Sequence, residues 1–125
     1  MSTVYVTGAG TVSAIGRDLS ENIQSLKNGL SGLGKVRHFE TSLDVPVGEV
    51  PQDNASLQKT LVPKRAVRMS RTSLLGIQAS VEAVCDCLNR GARLSDKRIG
   101  LISGTSVGGM DLSEQFWREN RKDLT

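Results

Sequence analysis

The sequence predicts an α/β fold in which helices pack on a mixed or parallel sheet. Two aliphatic runs, Thr3–Thr7 and Ile99–Ser103, each read as a strand leading into a glycine-rich loop, and two stretches of helical periodicity lie between them. Helices long enough to act as crossovers favour parallel or mixed pairing over a purely antiparallel sheet. Aromatic residues are only 3% of the 125 residues and glycines number 13, which suits layers of Val, Ile, Leu and Ala better than an aromatic-rich sandwich.

The first strand, Thr3–Thr7, is rich in β-branched residues, and Gly8 to Gly16 follow it as a loop. Asp18-Leu-Ser-Glu21 then opens a helix, with a carboxylate at the N-cap and a glutamate three residues on. Leu19, Ile23 and Leu26 share one face of that helix, and Gly29 stands where a left-handed residue would stop it. Between residues 30 and 63, Gly32, Gly34, Pro46, Pro51 and Pro63 interrupt any long element. This stretch reads as a connecting excursion, with at most a short edge strand within Val45–Val50.

From Ser70 the period changes. Leu74, Ile77, Val81, Val84 and Leu88 recur at helical spacing over about four turns, and Leu75, Ala79 and Ala83 widen the stripe. That pattern predicts a largely buried helix ending at Gly91. Ile99–Ser103 is the second strand, and Asp111-Leu-Ser-Glu114 repeats the capping tetrapeptide of residues 18 to 21, opening a last helix through Phe116 and Trp117.

A chain of this length with 38% hydrophobic residues supports one domain or part of one. A net charge of +3, without a basic face interleaved with aromatics, does not mark a nucleic-acid module. No apolar run approaches the roughly 20 residues that span a bilayer, and the amino terminus lacks the basic and apolar regions of a signal peptide. The chain reads as cytoplasmic. Cys85 and Cys87 lie two apart in a helical pattern, so their side chains diverge; with no nearby histidine, neither a disulfide nor a metal site is expected.

Three motifs come close to known chemistry. Gly29 to Lys35 follows the spacing of a phosphate-binding P-loop, but Val36 replaces the hydroxyl residue and the stretch leaves a helix instead of entering one. Gly8-Ala-Gly10-Thr-Val-Ser13 resembles a dinucleotide fingerprint without its third glycine, its prompt helix or its ribose-binding acid. Gly104-Thr-Ser106-Val-Gly108 has the form of a nucleophile elbow between strand and helix. Against a hydrolase, the helix cap comes late, and the one histidine, His38, lies upstream and reads as a half-exposed loop residue beside Phe39.

Taken in order, VTGAGTVSAIG, SLKNGLSGL, RHFETS, RMSRTSLLGIQASVEAV and RIGLISGTSVGG resemble the amino-terminal part of a beta-ketoacyl-acyl carrier protein synthase, and they span nearly the whole chain. The resemblance implies a thiolase-like layered fold of which residues 1–125 form the amino-terminal segment. It also implies a decarboxylating Claisen condensation of acyl and malonyl carrier protein in fatty acid biosynthesis or a related pathway. In this family a cysteine takes the acyl chain, two histidines assist decarboxylation, the enzyme works as a homodimer and no cofactor is called for.

None of the family's catalytic motifs is present here, so no catalytic residue is assigned in this chain. Cys85 and Cys87, in mid-helix, lack the helix amino terminus or adjacent histidine that lowers a thiol's pKa. The resemblance assigns Ser106 and Val107 to the wall of the acyl channel, with Val107 limiting its depth. It assigns Lys64 and Arg68, from the basic run Lys64, Arg65, Arg68 and Arg71, to docking of the acidic acyl carrier protein. The end at Lys122 to Thr125 is expected to fall within a longer enzyme. Two other classes compete with this reading: a serine hydrolase segment with Ser106 as nucleophile, and a non-catalytic α/β binding module.

Overall fold

The computed structural model describes residues 3–39, 41–61 and 68–121. Four helices and one two-stranded sheet follow in the order α1 (Leu19–Lys27), β1 (Leu33–Gly34), β2 (Val47–Gly48), α2 (Asn54–Leu61), α3 (Arg71–Asn89) and α4 (Met110–Asn120). β1 and β2 are antiparallel, with Leu33 opposite Gly48 and Gly34 opposite Val47.

The helix punctuation read from the sequence holds for both ends of α1 and for the end of α3. Asp18 is the N-cap of α1, its carboxylate accepting the Glu21 N–H at 2.8 Å, and Gly29 follows with φ +65°. Glu21 reaches back one residue beyond the cap, accepting the Arg17 N–H at 2.8 Å. Ser70 caps α3, and Gly91 ends it with φ +87°.

The expected parallel or mixed sheet is absent among the described residues. Thr3–Thr7 and Ile99–Ser103 form no strand, because a strand exists only when a neighbour completes its hydrogen-bond ladder and neither run has one. Their side chains stand in solvent, Ile102 fully so. The hairpin-like pair within the excursion has its partner close by in sequence, and it forms. The excursion also contains α2, capped by Asp53, whose carboxylate accepts the Ser56 N–H at 2.7 Å.

Burial also departs from the periodicity. α2 packs on α3 around Leu57 and Leu74, which are 1% and 0% exposed. Elsewhere the apolar stripe of α3 is open, with Val81, Val84 and Leu88 exposed, so the expectation of a largely buried helix is not met. In α1 the buried residues are Asn22 and Ser25, while Ile23 and Leu26 face outward. Asn22 donates to the carbonyls of Gly16 and Asp18, and Ser25 donates to that of Ile15 at 2.6 Å, so the polar face of α1 satisfies the loop before it.

That loop is held to α3 by backbone approach and by carboxylates. A Cβ at Gly8 would strike the backbone of Ala83 and Cys87, and one at Gly10 that of Ala79 and Ala83, so the segment runs antiparallel along a small-residue stripe of α3. On the adjoining stripe, Asp86 accepts the Ala9 N–H at 3.1 Å and Glu82 accepts those of Thr11 at 2.8 Å and Leu19 at 2.6 Å. Gln78 donates to the Arg17 carbonyl at 2.7 Å. The first glycine-rich stretch is therefore a packing device against α3 and not an open ligand loop.

Candidate functional site

The loop from Gly104 to Gly109 joins the unpaired Ile99–Ser103 run to α4. Only Gly109 has a positive φ, +86°, and it serves as the N-cap of α4 without a side-chain hydrogen bond. Gly108 leaves room for the side chain of Thr105, which folds over it, while Gly104 faces open space. Asp111 lies inside the first turn, so the second capping tetrapeptide does not repeat the role of the first. Its carboxylate instead accepts the N–H of Arg71, the first residue of α3, at 2.8 Å.

A cleft of about 990 Å³ lies between α3 and this loop, lined by Gly76, Ile77 and Val81 on one side and by Leu101, Ile102, Gly104, Thr105 and Gly108 on the other. Ser106 and Val107 sit at the tip of the loop outside that lining. Both are exposed, Val107 to 71%.

The basic run divides by role. Lys64 and Arg65 lie outside the described residues. Arg71 is engaged elsewhere: its guanidinium donates to the carbonyls of Val50 at 2.7 Å and Gln52 at 2.8 Å and to the Asn54 side chain at 2.9 Å, tying the β2–α2 connection to α3. Arg68 is exposed and faces Glu119 of α4 at 3.6 Å. No local signal in the sequence could reveal that pair, whose members are far apart in the chain, and Asp111 was masked by its likeness to a cap.

The arrangement holds no nucleophile paired with a base among the described residues. Among the described residues no histidine or carboxylate is hydrogen-bonded to Ser106, and His38 is occupied through Nε2 with the Pro51 carbonyl at 3.0 Å. His38 is exposed, more open than the half-exposed position expected of it. Cys85 is exposed and Cys87 buried, both near the carboxyl-terminal end of α3 and far from its amino terminus. No cluster of metal-ligating side chains occurs, and no helix is long and apolar enough to cross a membrane, among the described residues.

The perturbed carboxyls are structural. Hydrogen bonds from the Arg17 side chain and backbone hold Glu21 down at about 2. Asp86 is lowered by the Arg90 guanidinium and then by the Ala9 N–H. Burial pushes Glu49 up, but the N–H groups of Arg37 and His38 outweigh it and leave Glu49 lowered. None of the three belongs to the 104–109 loop.

The sequence profile of the beta-ketoacyl synthase N-terminal domain matches residues 1–124. The chain belongs to the beta-ketoacyl synthase family. It is similar to 3-oxoacyl-[acyl-carrier-protein] synthase 2 of Synechocystis sp., at 33% identity over 113 residues, covering 89% of this chain and 27% of that protein. The protein of the same name from Staphylococcus aureus strain COL is 32% identical over 115 residues, again covering 89% and 27%. The chain thus spans about a quarter of the length of the curated relatives it matches. No solved structure matches it. Membership of the beta-ketoacyl synthase family implies a thiolase-like fold, and the helices and small sheet seen here are consistent with an α/β segment of one.

Proposed function

We propose that this chain is the amino-terminal, substrate-facing segment of a carrier-protein-dependent condensing enzyme that elongates acyl chains for fatty acid biosynthesis. The match of the beta-ketoacyl synthase N-terminal domain to residues 1–124 carries this reading, and the names of the two relatives supply the reaction class. The condensation joins an acyl thioester to malonyl carrier protein with loss of carbon dioxide. Its cysteine and histidines would come from residues other than these, in a cytoplasmic homodimer.

Within that enzyme, Ser106 and Val107 would form part of the acyl-channel wall. Their place on a glycine-rich loop without a nucleophile–base pair suits a lining role better than a hydrolytic one. Lys64 and Arg68 would dock the acidic acyl carrier protein, a role supported by the exposure of Arg68 and by its weak pairing.

A segment exchange tests the proposal. The matching segment of the Synechocystis relative is replaced by residues of this chain, and condensation of acyl and malonyl carrier protein is followed. The chimera is expected to form 3-oxoacyl product and the 125-residue chain alone to form none. Product from the chain alone, or a folded chimera without activity, contradicts the proposal.

A further inference from the structure

We propose that Glu119 is an internal stand-in for an acidic partner on Arg68, and that docking at Arg68 displaces it and frees the carboxyl-terminal end of α4. The inference rests on the docking reading above and adds a conformational response to it.

The observation behind it is how little holds α4. None of its residues is buried, and its Phe116 and Trp117 are exposed. Among the described residues, its polar links to the rest of the chain are two: Asp111 to the Arg71 N–H at 2.8 Å and Glu119 to Arg68 at 3.6 Å. They lie in its first and last turns, about 12 Å apart along the helix, and both end at the amino terminus of α3. α4 is therefore tied at its two ends to one place, the amino terminus of α3.

The two straps differ in strength. Asp111 accepts a backbone N–H that has no intrahelical partner, a charge-assisted bond at good distance. Arg68 and Glu119 are both well exposed, at a separation longer than a hydrogen bond, and solvent and salt screen such a pair heavily. An acidic surface presenting several carboxylates to Arg68 outcompetes one screened glutamate. With Glu119 released, α4 pivots on Asp111 and on the left-handed Gly109, where the 104–109 loop ends, so docking is felt at the loop proposed to line the channel.

Trp117, the one tryptophan of the chain, sits two residues before Glu119 and reports its release. The test follows Trp117 anisotropy and calorimetric binding of a tryptophan-free acyl carrier protein to the full chain at low salt. Wild type, Glu119→Gln, Arg68→Ala and Glu114→Gln are compared, with circular dichroism confirming the fold of each. Glu114→Gln removes the same charge from α4 without touching Arg68, since Glu114 faces Arg118.

Without partner, Glu119→Gln and Arg68→Ala are expected to lower Trp117 anisotropy while Glu114→Gln leaves it unchanged. Partner binding is expected to lower it in wild type and not in Glu119→Gln, which binds about threefold tighter than either wild type or Glu114→Gln. Equal tightening by Glu119→Gln and Glu114→Gln, or a Trp117 signal in wild type that binding does not move, overturns the inference and leaves docking standing. Absence of binding to wild type overturns docking at Arg68 and this inference with it.

Discussion

Glu82 of α3 accepts the N–H of Leu19, the first residue of α1, at 2.6 Å, and with its other oxygen the N–H of Thr11 at 2.8 Å. One side chain thus satisfies an amide at the start of α1 and an amide of the segment lying along α3, joining elements more than sixty residues apart in sequence. A carboxylate suits this position because its two oxygens accept only, and the positive end of the α1 dipole adds to the attraction.

Replacing Glu82 by Ala leaves both amides without their acceptor in a part-buried setting, which costs about 1–3 kcal/mol. Glu82→Gln keeps one acceptor oxygen and should cost roughly half as much. Urea unfolding midpoints measure both, and equal stability of Glu82→Ala and wild type would show that the bridge contributes nothing.

Two glycine substitutions should act in opposite directions. Gly8→Ala drives a Cβ into the backbone of Ala83 and Cys87, which cannot retreat as a flexible side chain would, and should destabilise by at least about 1–3 kcal/mol. Gly76 lies within α3 with open space where its Cβ would stand, so Gly76→Ala should stabilise by about 0.5–1 kcal/mol. Melting temperatures of the pair decide the matter, and a tolerated Gly8→Ala would refute the close approach.

Acid should weaken the fold through Glu21. Its folded-state value of about 2 lies below its ordinary 4.5, so the folded state binds its proton less readily than the unfolded chain. The stabilisation is complete above about pH 4.5 and disappears as pH falls towards 2. Asp86, lowered in the same sense, adds to the slope. Melting temperature against pH should therefore drop across that window, and Glu21→Gln should flatten the drop; an unchanged profile in the variant would remove Glu21 as its source.

How legible these features were depended on how far apart in sequence their causes lie. Asp18, Gly29 and Gly91 punctuate helices through bonds and dihedrals within a turn of themselves, and all three positions do what the sequence suggests. α2 was hidden by the prolines around it, although Asp53 followed three residues later by Ser56 is a local cap signal. Periodicity identified the apolar faces of α1 and α3 but not whether anything covers them, and Ile23, Leu26, Val81 and Val84 stand exposed. Thr3–Thr7 and Ile99–Ser103 have strand-forming residues without a ladder partner, and pairing is a long-range property. At the site, the loop-to-helix order around Ser106 was legible but the strand expected before it does not form, and the Asp111–Arg71 and Glu119–Arg68 contacts join residues some forty to fifty positions apart and leave no local trace.

Reversing Lys64 and Arg68 to Glu in the segment-exchange chimera should lower kcat/KM for acyl groups delivered on carrier protein, with the larger loss at low salt. Acyl groups delivered on a small thiol should be far less affected. Equal losses for both donors would mean that these residues support the fold and do not meet the carrier.

The acyl-channel assignment is tested most directly by the chain-length profile of a Val107→Trp chimera, measured alongside its melting temperature. Val107 is exposed in this chain, so added volume should leave the melting temperature near that of the parent chimera. If Val107 lines the channel, the variant should accept short acyl donors almost normally and reject the longest, while Val107→Ala costs little. A stable Trp variant with an unaltered profile would contradict the assignment, as would a loss of activity for donors of every length accompanied by destabilisation of about 1–3 kcal/mol, the mark of an overpacked core.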